Sequence, residues 1–189
     1  MLYGDRIRLR AIERADLPTF VRWFNDPDVR QYLAMFAPLS AAMEERWFEA
    51  QLNNKDAFLF AIEARCDGGW VHIGNAGLTL IDWKNRHATF GIAIGEKSYW
   101  GQGYGTDATR TVLRFAFDEL NLHRVELDVY DQNPRARRCY EKAGFRHEGI
   151  RRQALYRDGH YHDVHRMAVL RGEFECLQET PGRHETSSP

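Results

Sequence analysis

The chain has 189 residues, with 26 basic and 27 acidic side chains interleaved to a net charge of −1. That length fits one domain of about 100 to 200 residues with a sizeable core, and that balance excludes a general attraction to nucleic acid or to an anionic membrane. Its three cysteines, Cys66, Cys139 and Cys176, are odd in number and lack disulfide or metal spacing. No signal core and no stretch of roughly 18 apolar residues is present, so a soluble cytoplasmic protein is expected.

Residues 7–10, Ile-Arg-Leu-Arg, alternate apolar and charged side chains and read as a half-buried first strand. Asp16 is then placed to cap a helix in which Leu17, Phe20, Val21 and Phe24 recur at helical spacing, Pro18 being tolerated in the first turn. Asn25-Asp26-Pro27-Asp28 ends that helix. After Pro38, Ser40 can cap a second helix with Met43, Trp47, Phe48 and Leu52 on one face, closed by Asn53 to Asp56. Residues 57–64 and 70–81 read as strands joined at Asp67-Gly68-Gly69, a glycine pair suited to positive φ, and residues 87–94 form a third. Three consecutive strands with short connections argue for an antiparallel meander.

A glycine loop follows, Trp100-Gly101-Gln102-Gly103-Tyr104-Gly105-Thr106, leading into a helix that carries Ala108, Val112, Phe115, Ala116 and Leu120 and ends at Asn121. Asp107 in its first turn is a dipole-compensating acid rather than a catalyst. Residues 125–129, Val-Glu-Leu-Asp-Val, alternate cleanly as another strand. Asn133 and Pro134 then cap and open a helix to Ala143, with Gly144 as its stop. Residues 145–150 and 163–170 close the domain as a strand pair around the turn at Asp158-Gly159. One domain over residues 1–175 is expected, followed by a polar, disordered tail over residues 176–189.

Closely spaced glycines let a backbone approach a ligand, and the helix after them aims free N–H groups at an anion. A phosphate site and an ordinary strand-to-helix loop both fit that loop taken alone. A nucleoside-triphosphate loop needs Lys then Ser or Thr after its last glycine, but Gly105 is followed by Thr106 and Asp107. A dinucleotide turn needs its third glycine three positions after the second, a spacing that residues 104–106 break, although Glu126 and Asp128 lie near the distance of a ribose-binding acid.

A second signature comes one strand-helix unit later: Asn133, Ala136, Tyr140, Glu141, Lys142, Gly144 and Phe145. The loop at residues 102–106 and this run together resemble the GNAT superfamily of N-acetyltransferases. The likeness extends from residue 7 to residue 170, and it is nearest to the RimJ/RimL-like branch, which holds ribosomal-protein N-terminal, polyamine and antibiotic acetyltransferases. The resemblance implies an α/β (α+β) GNAT fold, a central mixed, mostly antiparallel sheet of about seven strands splayed at the acetyl-CoA site and flanked by about four helices. It implies acetyl-CoA as cosubstrate, no metal, and transfer of an acetyl group to a primary amine on a protein N-terminus, a polyamine or another small molecule. The partner is thus a small-molecule or peptide amine, without nucleic acid or membrane, and a homodimer is compatible. A non-catalytic acyl-CoA-binding sensor or oligomeric module is the alternative.

By that resemblance the backbone N–H groups of Gln102, Gly103, Tyr104, Gly105 and Thr106 hold the coenzyme pyrophosphate, and the edge at Ile92, Ala93 and Ile94 pairs with the pantetheine amides. A parallel pair formed by residues 90–94 and 125–129 must splay to admit that arm, and Gly91 and Gly95 make the neighbourhood yielding. Tyr140 is the expected general acid toward the leaving thiolate. Asn133, Ala136 and Arg137 lie at the cofactor end, Asn133 doubling as a helix cap, and Arg137 and Arg138 are both candidates to meet the 3′-phosphate. Thr89 stands where many relatives carry a glutamate, so the base is unassigned among His87, Asp82 and Glu96, with a water chain as the other route. Cys139 forms no evident Cys-His pair, which favours direct attack in a ternary complex. Asp26, Asp28, Glu44, Glu45 and Glu49 on the acceptor side suit a cationic amine or are simply solvated. The alternating His160 and His162 supply only two converging metal ligands and read as a polar rim.

Overall fold

The computed structural model describes residues 1–178. In chain order it contains β1 (Leu2–Tyr3), β2 (Ile7–Ala11), α1 (Leu17–Asn25), α2 (Pro27–Arg30), α3 (Ala41–Leu52), β3 (Phe58–Cys66), β4 (Gly69–Asp82) and β5 (His87–Ile94). Then come α4 (Tyr104–Arg114), β6 (Arg124–Tyr130), α5 (Pro134–Ala143), β7 (Arg146–Arg157), β8 (His160–Leu170) and α6 (Arg171–Gln178). The strands form one sheet in the order β1-β2-β3-β4-β5-β6-β8-β7. Every neighbouring pair is antiparallel except β5 with β6, where the crossover through α4 enforces a parallel pairing.

The β2 to β5 meander forms as its alternation and turns require, with Gly68 at φ 114° and Gly69 at φ 147° in the β3–β4 connection. Helix α4 packs its apolar stripe, Ala108, Val112 and Leu113, onto the sheet, all three at 0% exposure. Val112 and Leu113 each contribute about 1.5–3 kcal/mol by leaving water, and the Ala108 methyl less. A single π turn, Phe115–Glu119, prolongs α4 and puts Ala116 and Phe117 into the same core. A second, smaller cluster of Leu17, Phe20, Trp23 and Phe48 joins α1 to α3 on the other side of the meander.

Several sequence expectations need correction. The sheet has eight strands rather than seven because Leu2–Tyr3 pairs with β2, a strand too short to show a period. The described residues contain six helices rather than about four: the Asp26 side chain accepts from Asp28 N and starts the four-residue α2, and α6 carries Phe174 into the core. Cys176 to Gln178 therefore belong to a helix rather than to the expected tail, and residues 179–189 lie outside the described residues. Asp16 precedes α1 but does not cap it; its carboxylate accepts from Glu13 N (2.8 Å) and from both Arg10 Nη atoms (2.7 and 2.8 Å). Ser40 does cap α3, yet the buried face is Glu44 and Phe48, while Met43 and Leu52 are 51% and 61% exposed. Strands β7 and β8 are longer than their apolar alternation shows, because the sheet-edge hairpin is polar over its outer half.

Candidate active site

The glycine loop takes its shape from two left-handed residues. Gly101 sits at φ 74° and Gly103 at φ 90°, and Gly103 is the N-cap of α4 with no side chain to occupy the helix's first N–H groups. The Asp107 carboxylate, one turn in, accepts from Asp5 N (3.0 Å) and Arg6 N (2.7 Å) and so ties the β1–β2 turn to the start of α4. Arg6 returns a bond from Nη1 to Gln102 O (2.9 Å) and stacks on Tyr104 at 4.1 Å. The loop is braced from behind, leaving its front face to a ligand.

Beside it the sheet opens. The parallel ladder runs His87↔Arg124, Ala88↔Val125 and Thr89↔Glu126, and stops there. From Phe90 onward β5 stays with β4 while β6 follows β8, so the two strands diverge toward their C-terminal ends. Ala93 O lies against Gly74, where a Cβ would come within 2.2 Å, and Gly95 N donates to Ile73 O at 2.9 Å. By strand alternation, Ile92 and Ile94 turn their backbone polar groups into the gap instead. The Trp100 indole donates to Ile94 O (2.7 Å), which leaves Ile92 as the open rung of that edge.

The gap is one wall of a cavity of about 280 Å³, lined by Ile92, Ala93 and Ile94, by Gly103, Gly105 and Thr106, and by Asn133, Ala136 and Tyr140. Of the expected cofactor residues, Gln102 and Tyr104 stand behind this wall. The Gln102 amide bonds Ser98 O, and the Tyr104 ring is packed on Tyr99. Asn133 Oδ1 accepts from Ala136 N (3.1 Å), so it caps α5 while facing the cavity. Arg137 pairs with Glu141 (3.0 Å, one turn on) away from the wall, whereas Arg135, Arg138 and Lys142 line it. Open helix N–H groups at Gly103, three cations and an unpaired strand edge form the donor set that a pyrophosphate and its pantetheine amides require.

Tyr140 is 8% exposed, with its ring edge-on to Phe90 (6.2 Å) and Phe145 (5.9 Å). Burial, with the neighbouring Cys139, pushes its phenol well above the usual value of 10.0, so it keeps its proton at neutral pH. Burial likewise raises the Cys139 thiol, partly offset by its hydrogen bonds with Thr106 and Thr109. A thiol held neutral is a poor nucleophile.

The three base candidates do not line the cavity. His87 and Asp82 face each other (3.7 Å) at the end of β5 where the ladder is closed, and Asp82 is further held by Asn85. Glu96 lies just past the open end, 3.5 Å from both Trp23 Nε1 and Arg22 Nη2. Asp26 and Asp28 share Lys97 (2.7 and 2.8 Å), and Arg14 pairs with Glu45 and Glu49, so most of the acceptor-side acids are already partnered. His162 Nδ1 sits 3.4 Å from Asp131 while His160 is exposed, so the two do not converge.

Sequence reasoning passed over the residues that roof the cavity. Val29, Tyr32 and Leu33 from α2 and the segment after it close one side. Arg135 stacks between Trp100 (3.9 Å) and Tyr32 (5.4 Å), bridging the glycine loop to that roof. A lone arginine after a helix cap gives no pattern from which such a bridge could be read.

A sheet split at one parallel pair, a helix N-terminus at the mouth of the split and a protonated phenol within it define a protein that binds an acyl-coenzyme thioester for group transfer. Residues 6–146 match the acetyltransferase (GNAT) domain family, and the chain belongs to it. A SPbeta prophage-derived N-acetyltransferase of Bacillus subtilis is 33% identical over 91% of this chain and 94% of its own length. Spermidine N(1)-acetyltransferase of Vibrio cholerae is 29% identical over 90% of this chain and 96% of its own. The crystal structure of spermidine N-acetyltransferase from Vibrio cholerae with CoA and spermine superposes with a TM-score of 0.84 at 28% identity, covering 91% of this chain and 99% of that one. The chain is an acetyl-CoA-dependent N-acetyltransferase. No helix among the described residues is long and apolar enough to cross a membrane.

Proposed function

We propose that this enzyme acetylates a primary amine of a small polyamine-type acceptor by direct attack within a ternary complex. The observation that carries the mechanism is that Tyr140 and the open edge at Ile92 share one cavity wall. A coenzyme arm paired along that edge brings its thioester beside a phenol that burial keeps protonated, ready to donate to the departing thiolate. The carbonyl carbon gains the amine nitrogen, the C–S bond breaks, the sulfur takes the Tyr140 proton, and the proton that the nitrogen sheds on becoming an amide returns through solvent to the phenolate. Cys139 does not take the acetyl group, because its thiol is held neutral.

The polyamine class is supported by relatives that match across nine-tenths of the chain and carry spermidine acetylation in their names. Asp82, His87 and Glu96 stand off the cavity wall, so we assign deprotonation of the ammonium to water reaching the site from bulk. Three widely spaced cysteines, at positions 66, 139 and 176, suit action in a reducing cytoplasm. A panel of spermidine, spermine, an aminoglycoside, an amino sugar and a peptide N-terminus, each with acetyl-CoA and read by thiol release, tests the acceptor. Spermidine or spermine should give the highest kcat/KM; faster release with the peptide or the sugars would overturn the polyamine assignment.

A further inference from the structure

We propose that Arg157 is a positioning residue for acetyl transfer, latching from the far end of β7 the segment that roofs the acceptor side of the cavity. This rests on the acetyltransferase assignment and not on which amine is used. Between α2 and α3, residues 31–40 form neither helix nor strand, so their backbone polar groups need partners from elsewhere. Asn25 holds the far end of this segment, donating to Leu39 O (2.7 Å) and accepting from Leu39 N (2.8 Å), and Arg157, more than 120 residues away in sequence, holds its start: Nη1 donates to Arg30 O (2.8 Å), and Nη2 to Leu33 O (2.8 Å) and Met35 O (3.1 Å). Its guanidinium is a planar fork with fixed donor directions, and all three contacts are charge-assisted bonds to carbonyls. Gln132 Nε2 adds a weaker tie to Gln31 O (3.2 Å).

What the latch holds is the wall made by Val29, Tyr32 and Leu33. The expected phosphate-binding features, Gly103, Gly105, Arg138 and Lys142, belong instead to α4 and α5 and their approaches. The roof itself offers two aliphatic side chains and a phenol, and the cation against it, Arg135 of α5, lies on the Tyr32 ring and reaches back to Trp100 of the glycine loop. The roof therefore bounds the space on the acceptor side of the thioester. Arg157 touches neither substrate, and its effect passes through the backbone of residues 30–35.

The test uses the full chain, Arg157→Ala and Arg157→Lys, with spermidine as the probe amine. Arg157→Ala should raise the spermidine KM by about tenfold, the loss expected for part-buried charge-assisted bonds to backbone carbonyls, while the acetyl-CoA KM changes less than about threefold. Amides of residues 30–36 should exchange faster with solvent, and Arg157→Lys should recover only a minor part, since one ammonium cannot span three carbonyls. An equal rise in both KM values, a fall in kcat alone, or unchanged exchange at residues 30–36 would overturn the latch. If Arg157→Ala fails to fold, Arg157→Lys carries the same comparison. Should the native chain ignore spermidine, the polyamine assignment fails; exchange at residues 30–36 and the KM split with the amine found by the panel then decide Arg157 separately.

Discussion

Thr89 and Glu126 form the last rung of the parallel ladder between β5 and β6, and the next residue of each strand already follows a different neighbour. That rung is the vertex of the coenzyme gap. Phe90, directly after it, meets Tyr140 and Phe145, so the vertex is wedged by aromatic rings rather than by a continued ladder. The phenol proposed as the general acid is thereby fixed by the same packing that keeps the strands apart. Catalysis and fold share these contacts.

Tyr140→Phe should lower kcat by roughly 10² to 10⁴ while leaving coenzyme affinity within about twofold, since it removes a proton donor and keeps the ring. Stopped-flow turnover and calorimetric binding of CoA separate the two quantities. Because burial holds the phenol above its ordinary 10.0, no alkaline loss of kcat from its ionisation should appear below pH 10. An unchanged kcat would remove Tyr140 from the acid role.

Gly103 and Gly105 should respond differently to alanine. At φ 90°, position 103 penalises any L side chain by about 1–2 kcal/mol. Gly103→Ala should therefore lower Tm by about 2–8 °C as well as weakening CoA binding. A Cβ at Gly105 would stand 3.4 Å from Cys139 Sγ, a tight but adjustable contact. Gly105→Ala should keep a Tm closer to the native value yet bind CoA about tenfold more weakly, because its methyl borders the cavity. Calorimetric unfolding and CoA titration of both variants check the contrast; equal Tm losses would mean that neither glycine is kept for ligand approach.

How much of this was legible beforehand follows from which signals are local. The meander, the Asn133 cap and the Gly144 stop (φ 107°) all rest on residues adjacent in sequence, and each forms where its chemistry requires. The roof was not legible, because it depends on Arg157 and Arg135 reaching residues more than 100 positions away. Arg137 and Arg138 show the finer limit. A step of one residue, about 100° around the helix, decides which arginine faces the cavity, and position 137 goes to Glu141 while position 138 faces in. The face of α3 failed for a related reason: a buried Glu44 contradicts the apolar periodicity from which the face was inferred.

Glu44 is 4% exposed, and among the described residues no hydrogen bond or ion pair reaches its carboxylate. Burial raises its pKa above 4.5, so the folded state holds its proton more tightly than the unfolded chain. Stability from this group is present below pH 4.5 and is lost as pH rises through the raised value. The Asp16 and Glu63 carboxylates have the opposite sign. Burial opposes their ionisation, but bonds from Arg10, and from Arg8 at Glu63, hold both below their ordinary values, and their contribution is lost as pH falls beneath about 4. Glu44→Gln removes the buried charge and should raise Tm by about 2–4 °C at pH 7, the response of a chain this size to about 1 kcal/mol. At pH 4, where the native Glu44 is already neutral, the difference should vanish; a Glu44→Gln variant less stable at pH 7 would show that the carboxylate has a cationic partner.

The missing base has a kinetic signature of its own. His87 and Asp82 sit where β5 and β6 are still paired, and Glu96 is occupied by Trp23 and Arg22. His87→Ala, Asp82→Ala and Glu96→Gln should each keep kcat/KM within about threefold of the native enzyme, far less than the 10²-fold or larger loss typical of a positioned base. With water accepting the proton, kcat/KM should climb with pH until the free amine predominates, and the midpoint of that climb should follow the pKa of the acceptor itself. Comparing two amines whose pKa values differ by about two units tests this, because a side-chain base would impose one midpoint on both. A common midpoint near neutral pH, abolished by one of the three substitutions, would identify that residue as the base and return the proton to the protein.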